Sequence, residues 1–218
     1  MPGSNTITNT QGRVESVNVG SPREVPWRRG RVKTAIWKAP VEGRVAVRGV
    51  NLRGDDQADR TVHGGPDKAV YAYAREDLDW WSERLGRPLD PGTFGENLTV
   101  SGISATDAVV GERWRVGTTL LEVAQPRLPC FKLGIRMGDA RFPKRFGTAN
   151  RPGAYLRIVE EGELAAGDAI EVVRRPDHGV TMAMLSRMRL ADHAGAHRLL
   201  AVPELPASWH AWARELAG

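Results

Sequence analysis

Cys130 is the only cysteine of the chain, and it lies in the run Gln125 to Leu133 (QPRLPCFKL). Two prolines restrict the backbone ahead of it, and the cations Arg127 and Lys132 flank it. A neighbouring cation favours the thiolate, which is the form of cysteine that acts as a nucleophile or a metal ligand. The segment therefore predicts a reactive thiol, and a small buried hydrophobe is the alternative that the local sequence leaves open.

A second segment whose residue types could do chemistry is Val62 to Tyr71 (VHGGPDKAVY). Paired glycines ahead of a strand allow backbone N–H groups to approach an anion closely, and Lys68 adds a positive charge. The imidazole of His63 belongs to the side-chain type that titrates near neutral pH, so it is a candidate for proton transfer. The segment predicts an anion-binding turn, and a plain turn is the alternative.

The third segment is Gly92 to Val100 (GTFGENLTV), in which two glycines precede a strand. Asn97 stands at the start of that strand and offers both amide donors and an acceptor, which suit the edge of a heterocycle. An asparagine that only stabilises a turn would give the same pattern.

Composition limits the function classes. One cysteine excludes an intramolecular disulfide framework and a multi-cysteine zinc site. The sequence contains no Walker loop, no dinucleotide-binding glycine fingerprint and no serine nucleophile elbow. Lys and Arg number 31 against 26 Asp and Glu, a net charge of +5, so we expect an anionic partner.

The basic residues are scattered rather than concentrated on one helix, a pattern that argues against nucleic acid and favours a phosphate-bearing small molecule as the partner. The densest basic cluster, Trp27 to Arg31 (WRRGR), is interpreted as a solvated loop. Residues 1–11 are polar and are predicted to form a flexible leader without the features of a secretory signal. No apolar run approaches the roughly 20 residues that span a bilayer. We expect a cytoplasmic protein with no membrane partner.

The elements that must position these residues are mostly strands. Short apolar runs broken by glycine and proline from Gly12 to about Arg175 are typical of a barrel or sandwich, so the fold is predicted to be mainly β with peripheral helices (α+β). The predicted strands are Arg13–Val19, Lys33–Trp37, Ala46–Asn51, Ala69–Ala74, Asn97–Ser101, Arg113–Val116, Thr119–Ala124, Tyr155–Val159 and Ala169–Val173.

Helical spacing predicts one helix over Arg75 to Leu85, ended by Gly86, and two short helices between Phe131 and Phe146. After a boundary near residue 176, the composition becomes helical, so 12–175 is predicted as one domain and 176–218 as a small three-helix module.

Within that module, Thr181 is predicted to cap a helix through Arg189, a second helix covers 191–200, and Ser208 caps a third. His193 and His197 stand four residues apart, but no third metal ligand is near in the sequence, so we interpret them as surface or packing residues.

The three chemical segments together resemble the MOSC family, the domain also found at the carboxyl end of molybdenum cofactor sulfurases. The resemblance runs from about Gly12 to Val173 through HGGPDKAVYAY, GTFGENLTVSG, QPRLPCFKL and RPGAYLRIVEEGELAAGDAIEV. The helical tail is similar to the three-helix extension of the bacterial YiiM-like branch. The resemblance implies a β-barrel-like fold that binds molybdenum cofactor, a phosphate-bearing molybdopterin.

Site residues follow from the same resemblance. Cys130 falls at the position of the cysteine that ligates molybdenum, and Arg127 falls in the family's phosphate grip. His63, Lys68 and Asn97 fall among the residues that line the cofactor site. Cys130 and His63 are the implied catalytic residues.

The implied activity is a molybdenum-dependent reduction of N-hydroxylated compounds such as hydroxylaminopurines, hydroxylamines or amidoximes. Electrons must come from a separate flavoprotein or ferredoxin-like donor, because one cysteine cannot hold an iron–sulfur cluster. Pyridoxal phosphate is not an expected cofactor. Two alternatives stay open: a carrier of the cofactor, or of sulfur as a Cys130 persulfide, without reductase activity, and a basic interaction module.

Overall fold

The structure of the protein is a computed structural model that describes residues 11–57 and 64–217. His63, a predicted site residue, lies outside these ranges. The described residues form thirteen strands: β1 (Gln11–Val19), β2 (Arg23–Trp27), β3 (Gly30–Thr34), β4 (Ala39–Pro40), β5 (Val45–Arg48), β6 (Asn51–Leu52), β7 (Val70–Ala74), β8 (Leu98–Ser101), β9 (Arg113–Val116), β10 (Thr119–Pro126), β11 (Ala154–Glu160), β12 (Gly162–Leu164) and β13 (Ala169–Arg174).

The helices of the described chain are α1 (Arg75–Leu85), α2 (Phe131–Met137), α3 (Phe142–Ala149), α4 (Met182–Leu190) and α5 (Ala207–Ala217), with 3₁₀ turns at Pro66–Lys68 and Ala196–Ala201. The prediction for α1 is confirmed, and Gly86 ends that helix in the left-handed conformation at φ 63°. The cap at Thr181 is also confirmed, since its side chain accepts a hydrogen bond from the Met184 N–H. Within the described ranges, no helix is long and apolar enough to cross a membrane.

Seven strands close into a barrel in the order β1, β13, β9, β10, β11, β7, β8 and back to β1. Neighbouring strands run antiparallel except β7 and β8, which are parallel. Strand β4 pairs antiparallel with β1 outside the ring of seven. A short sheet of β12, β5 and β6 and a separate ribbon of β2 and β3 complete the β structure of the described residues. The predicted mainly β fold with peripheral helices is confirmed.

Strand β7, with the sequence VYAYA, divides two apolar clusters because alternate side chains of a strand point to opposite faces. Val70 and Ala72 pack in the main core, to which every barrel strand contributes. Tyr71 and Tyr73 face a second, aromatic cluster between β7 and helices α1, α2 and α3. The other buried members of the aromatic cluster are Ile36, Leu78, Trp81, Leu89, Phe94, Leu133, Phe142 and Phe146.

The C-terminal helices pack on the barrel. Leu185, Leu199, Trp209 and Trp212 belong to the main core together with residues of the barrel strands. The predicted division into a domain over 12–175 and a module over 176–218 stays a prediction.

Four local predictions were wrong. The single strand predicted over Ala46 to Asn51 is two strands, β5 and β6, which pair with each other antiparallel. The strand predicted over Lys33 to Trp37 extends only to Thr34 at its C-terminal end. The helix predicted over 191–200 is a 3₁₀ turn at Ala196–Ala201. Ser208 does not precede the last helix, because that helix already begins at Ala207, directly after a proline.

The segment Trp27 to Arg31 is the exposed turn of a hairpin, since Trp27 pairs with Gly30 across it and residues 28–31 are exposed. Its apolar alternation is short: Val25 and Val32 are half-buried while the residues between them and beyond are mostly charged and exposed. Such a pattern carries little strand signal on its own.

Candidate functional site

A pocket opens on the outer side of β7, between this strand, the loop after β3 and the segment that joins β10 to α2. It encloses about 720 Å³ of open space, counting the solvent at its mouth. Its lining residues include members of all three chemical segments: Thr34, Ala35, Ile36, Lys38, Asp55, Asp56, Gln57, Lys68, Ala69, Tyr71, Phe94, Gly95, Asn97, Arg127, Leu128, Cys130, Lys132 and Tyr155.

Cys130 lines this pocket with a free, half-buried thiol. It directly precedes α2, where its carbonyl oxygen accepts a hydrogen bond from the Leu133 N–H at 3.0 Å. The segment ahead of it is held from behind by α3, because a Cβ at Gly147 would lie 3.5 Å from the ring of Pro129. The thiol therefore stands on a braced loop and is not part of either core cluster.

Arg127 is a buried cation of the site, with only 6% of its surface exposed. Its Nη1 donates a hydrogen bond to the carbonyl oxygen of Phe94 at 2.6 Å, and its guanidinium lies 5.4 Å from the ring centroid of Tyr71. Burial acts against the charged form, but the ionisable groups of Tyr71, Tyr155 and Cys130 raise the pKa of Arg127 above its ordinary value. Arg127 is therefore a permanent positive charge beside the thiol.

Asn97 lines the pocket, but its amide is committed within the protein. Its Oδ1 accepts from the Tyr71 N–H at 3.1 Å, and its Nδ2 donates to the Asn18 carbonyl at 3.2 Å and to Oδ2 of Asp55 at 2.9 Å. Asn97 thereby joins β1 to β7 and orients the Asp55 carboxylate.

Asp55 forms an ion pair with Lys38 in which both side chains are almost fully buried. The Gly20 N–H also donates to Oδ1 of Asp55, at 2.8 Å. Burial lowers the pKa of Lys38, although the carboxylate of Asp55 opposes this effect. Lys38 therefore lies on the wall of the pocket as a cation that is already paired with a carboxylate.

Glu96 lies behind the pocket and is completely buried. Its Oε1 accepts from the Gly92 N–H at 2.7 Å and from the Thr99 hydroxyl at 3.2 Å, and its Oε2 accepts from the Phe94 N–H at 3.0 Å. The carboxylate thus folds residues 92–96 into a tight loop. That loop presents the Phe94 carbonyl to Arg127.

Lys68 lies on the pocket wall at the end of the 3₁₀ turn. The turn is anchored, because Asp67 forms an ion pair with Arg157 and its carbonyl accepts from Nε2 of Gln125 at 3.1 Å. Gly65 precedes the turn with a positive φ of 94°, a conformation that glycine adopts far more readily than other residues.

Four cations and two carboxylates line the pocket: Lys38, Lys68, Arg127, Lys132, Asp55 and Asp56. This excess of positive charge suits an anionic molecule. The thiol can serve as one soft ligand for a metal that such a molecule carries. Among the described residues, no group of three or more His, Cys, Asp and Glu side chains is placed to hold a metal ion by itself.

The structure places Lys68, Asn97, Arg127 and Cys130 in the lining of one pocket, and their roles there stay predictions. Sequence reasoning singled out these four residues. It missed the Lys38–Asp55 pair, Glu96, Tyr71 and Tyr155. Glu96 stands inside the GTFGEN segment, so its position between two glycines and a strand was an available signal. Nothing local marked Lys38 or Asp55.

A scan against family models matches residues 59–171 to the MOSC domain. The match spans about half of the chain and contains all three chemical segments. The chain belongs to the MOSC domain family. MOSC domains are associated with the molybdenum cofactor.

Two curated proteins are similar in sequence to this MOSC chain. The chain is 34% identical over 201 residues to protein YflK of Bacillus subtilis (strain 168), covering 91% of each chain. It is 32% identical over 181 residues to a protein named reductase from Gibberella moniliformis, covering 81% of this chain and 32% of that protein.

The solved structure of YiiM from Geobacillus stearothermophilus has the same fold as this MOSC chain. The two superpose with a TM-score of 0.77 at 31% identity, over 94% of this chain and 98% of the other. The match includes the C-terminal helices, which the recognised branch was expected to carry.

Proposed function

We propose that the protein is a molybdenum-cofactor-dependent reductase of N-hydroxylated compounds. The observation that carries the proposal is the single thiol of Cys130 in a cation-lined pocket, beside the buried guanidinium of Arg127. Membership in the MOSC family and similarity to a protein named reductase support it.

The residues of the pocket fit the cofactor by their chemistry. A molybdopterin carries a phosphate and a metal, and the pocket offers cations and a soft thiolate on one wall. Cys130 would ligate the metal, and Arg127, Lys68 and Lys132 would balance the negative charge of the cofactor. Among the predicted site residues, Asn97 is a positioning residue, because its amide is already hydrogen-bonded to Asp55 and to the backbone of Tyr71 and orients both.

The reaction is R–NHOH + 2 e⁻ + 2 H⁺ → R–NH₂ + H₂O, in which the N–O bond breaks, one proton goes to the leaving hydroxyl oxygen to give water, and the other goes to the nitrogen. When bound, the cofactor supplies the two-electron redox chemistry. The protein supplies the rest: a fixed thiolate, fixed charges and hydrogen-bond donors. Burial raises the pKa of Tyr155, so its hydroxyl stays protonated at neutral pH and is available as a donor.

Proton delivery to the leaving oxygen is proposed for His63, whose position is not among the described residues. The described turn at Pro66–Lys68 is anchored through the Asp67 carbonyl and lines the pocket with Lys68, and His63 precedes this turn by three positions in the sequence. A His63→Gln variant should therefore lower turnover at neutral pH while leaving the molybdenum content unchanged.

The test uses wild type, Cys130→Ser and Cys130→Ala made in a host that produces molybdenum cofactor. Molybdenum per chain is measured by mass spectrometry, and reduction of hydroxylaminopurine is measured with reduced methyl viologen as electron source. Loss of the ligand should lower molybdenum per chain by more than about tenfold, the range seen for weaker changes around metal sites. Thermal unfolding of the purified variants controls for loss of fold.

Two results would overturn the proposal that the protein is a reductase. Wild-type protein that holds molybdenum but reduces no N-hydroxylated substrate would favour a carrier or sulfur-transfer protein. Wild-type protein that is folded and holds no molybdenum when made in that host would favour an interaction module.

A further inference from the structure

The ribbon of β2 and β3, here called the basic hairpin (residues 23–34), lies apart from both other sheets of the described chain. Its inner face carries Val25, Trp27 and Val32, which are half-buried, and Thr34, which is buried. Its outer face carries charged side chains in solvent. The hairpin is therefore attached to the barrel by side chains rather than by strand pairing.

The tip of the basic hairpin rests beside the candidate metal ligand. Trp27 stacks on Phe131 with ring centroids 5.2 Å apart and planes 27° from parallel. Phe131 directly follows Cys130 and is 40% exposed. At the other end of the hairpin, Thr34, the last residue of β3, lines the pocket. The hairpin thus forms one rim of the pocket.

The outer surface of the hairpin is strongly positive. Arg28, Arg29, Arg31 and Lys33 are all exposed, and Glu24 is the one acidic residue between positions 23 and 34. Glu24 pairs with Arg31 at 3.1 Å. An apolar aromatic centre surrounded by cations has the composition of a protein-binding surface rather than that of a solvated loop.

Arg28 adds a separate observation. It sits at φ 51°, a turn position that favours glycine or asparagine. Its guanidinium lies 5.6 Å from the centroid of the Trp27 ring. A cation is kept at the tip at the cost of backbone strain.

A flat substrate is a poor occupant of this surface. It would need an open ring face, and Trp27 already engages Phe131 and Arg28. A second copy of the chain is disfavoured too, because a two-fold contact would bring the same cations against each other. Charge complementarity favours an acidic protein.

We propose that the basic hairpin and Phe131 dock an acidic electron-carrying protein that reduces the cofactor. The proposal rests on the proposed function, which consumes two electrons for each N–O bond cleaved. Among the described residues, no group of three or more His, Cys, Asp and Glu side chains is placed to hold a redox metal, and one cysteine cannot ligate an iron–sulfur cluster, so the proposal takes those electrons from a partner protein. The donor leaves oxidised, and the substrate leaves as amine and water.

The test compares two electron sources with the cofactor-loaded protein and hydroxylaminopurine. One source is an acidic plant-type [2Fe–2S] ferredoxin kept reduced by its NADPH-dependent reductase, and the other is reduced methyl viologen. The docking variant is Arg29→Glu with Lys33→Glu. The matched control is Arg141→Glu with Lys144→Glu, the same charge change at two exposed residues, one directly before α3 and one within it.

The docking variant should raise the KM for ferredoxin about tenfold at low salt, the scale of electrostatic steering, and this difference should shrink as salt is added. Viologen-driven turnover and molybdenum content should equal those of the control. Trp27→Ala should raise the same KM by a similar factor through loss of the apolar centre, with less dependence on salt.

Each other result has a separate meaning. Unchanged ferredoxin kinetics in the docking variant, with wild type active on both sources, would overturn the docking surface and leave the reductase standing. A larger effect in the control would move docking to α3 and also overturn it. Wild type inactive with viologen would remove the reductase and the docking proposal with it.

Salt-steep binding of a single-stranded oligonucleotide that the docking variant alone loses, with ferredoxin kinetics unchanged, would assign the hairpin to nucleic acid.

Discussion

The indole Nε1 of Trp209 donates a hydrogen bond to Oε1 of Gln125 at 3.2 Å. The Gln125 side chain in turn donates through Nε2 to the carbonyl oxygen of Asp67, which lies in the turn that places Lys68 on the pocket wall. Gln125 therefore connects the C-terminal helix, barrel strand β10 and the rim of the candidate site. The tail is a structural support of the pocket as well as a cover of the main core.

Trp209→Phe should lower the free energy of unfolding by about 1–3 kcal/mol, because it leaves the buried acceptor of Gln125 without its donor. Urea unfolding measures the change. Trp212→Phe is the control, since Trp212 packs in the same core but makes no side-chain hydrogen bond among the described residues. Equal losses in the two variants would show that only packing matters.

Lys38→Met should destabilise the protein by about 3 kcal/mol, because it leaves the carboxylate of Asp55 buried and unpaired. Combined with Asp55→Asn, the loss should be smaller than the sum of the two single losses, by about 1–3 kcal/mol. Urea unfolding of all four proteins in the cycle gives this coupling energy. Strict additivity would contradict the buried ion pair.

Glu96 predicts a pH dependence of stability. Burial raises the pKa of Glu96 above its ordinary 4.5, although the N–H groups of Gly92 and Phe94 oppose this. The native state therefore keeps the proton to higher pH than the unfolded state, and this group's contribution to stability falls as pH rises from about 4.5 to the raised native value. Above that value it is constant.

In Glu96→Gln, this fall should be absent, so the free energy of unfolding should decline less between pH 4 and pH 7 than in wild type. The variant should be less stable at pH 7 because the amide cannot accept from the Phe94 N–H as Oε2 does. Urea unfolding over this pH range tests both statements. The exposed Glu83→Gln should follow the wild-type curve.

Arg127→Lys keeps a positive charge but loses the planar group that lies over Tyr71 and donates to the Phe94 carbonyl. We expect a loss of about 1.5–3 kcal/mol in the cofactor-free protein, the value of a hydrogen bond to a charged group. Molybdenum per chain should fall as well. The exposed Arg145→Lys on α3 should change neither quantity, and equal behaviour of the two variants would remove Arg127 from the site.

Local pattern sufficed where the information is local. Helix α1 was predicted over its full length because its apolar spacing, its acidic first turn and Gly86 all lie within twelve residues. Strands such as Arg113–Val116 were predicted within a residue or two because their burial follows their own alternation. The three glycine- and proline-rich segments marked Lys68, Asn97, Arg127 and Cys130 by their composition.

The sequence by itself determined the strand-rich fold, the family and the segments that form the pocket. Only the tertiary structure decided what the pocket residues do for one another. Asp55 meets Asn97 across 42 positions, and Trp27 meets Phe131 from a hairpin with almost no apolar pattern. Such contacts depend on how the barrel closes and where the helices pack on β7, and no window of neighbouring residues contains that information.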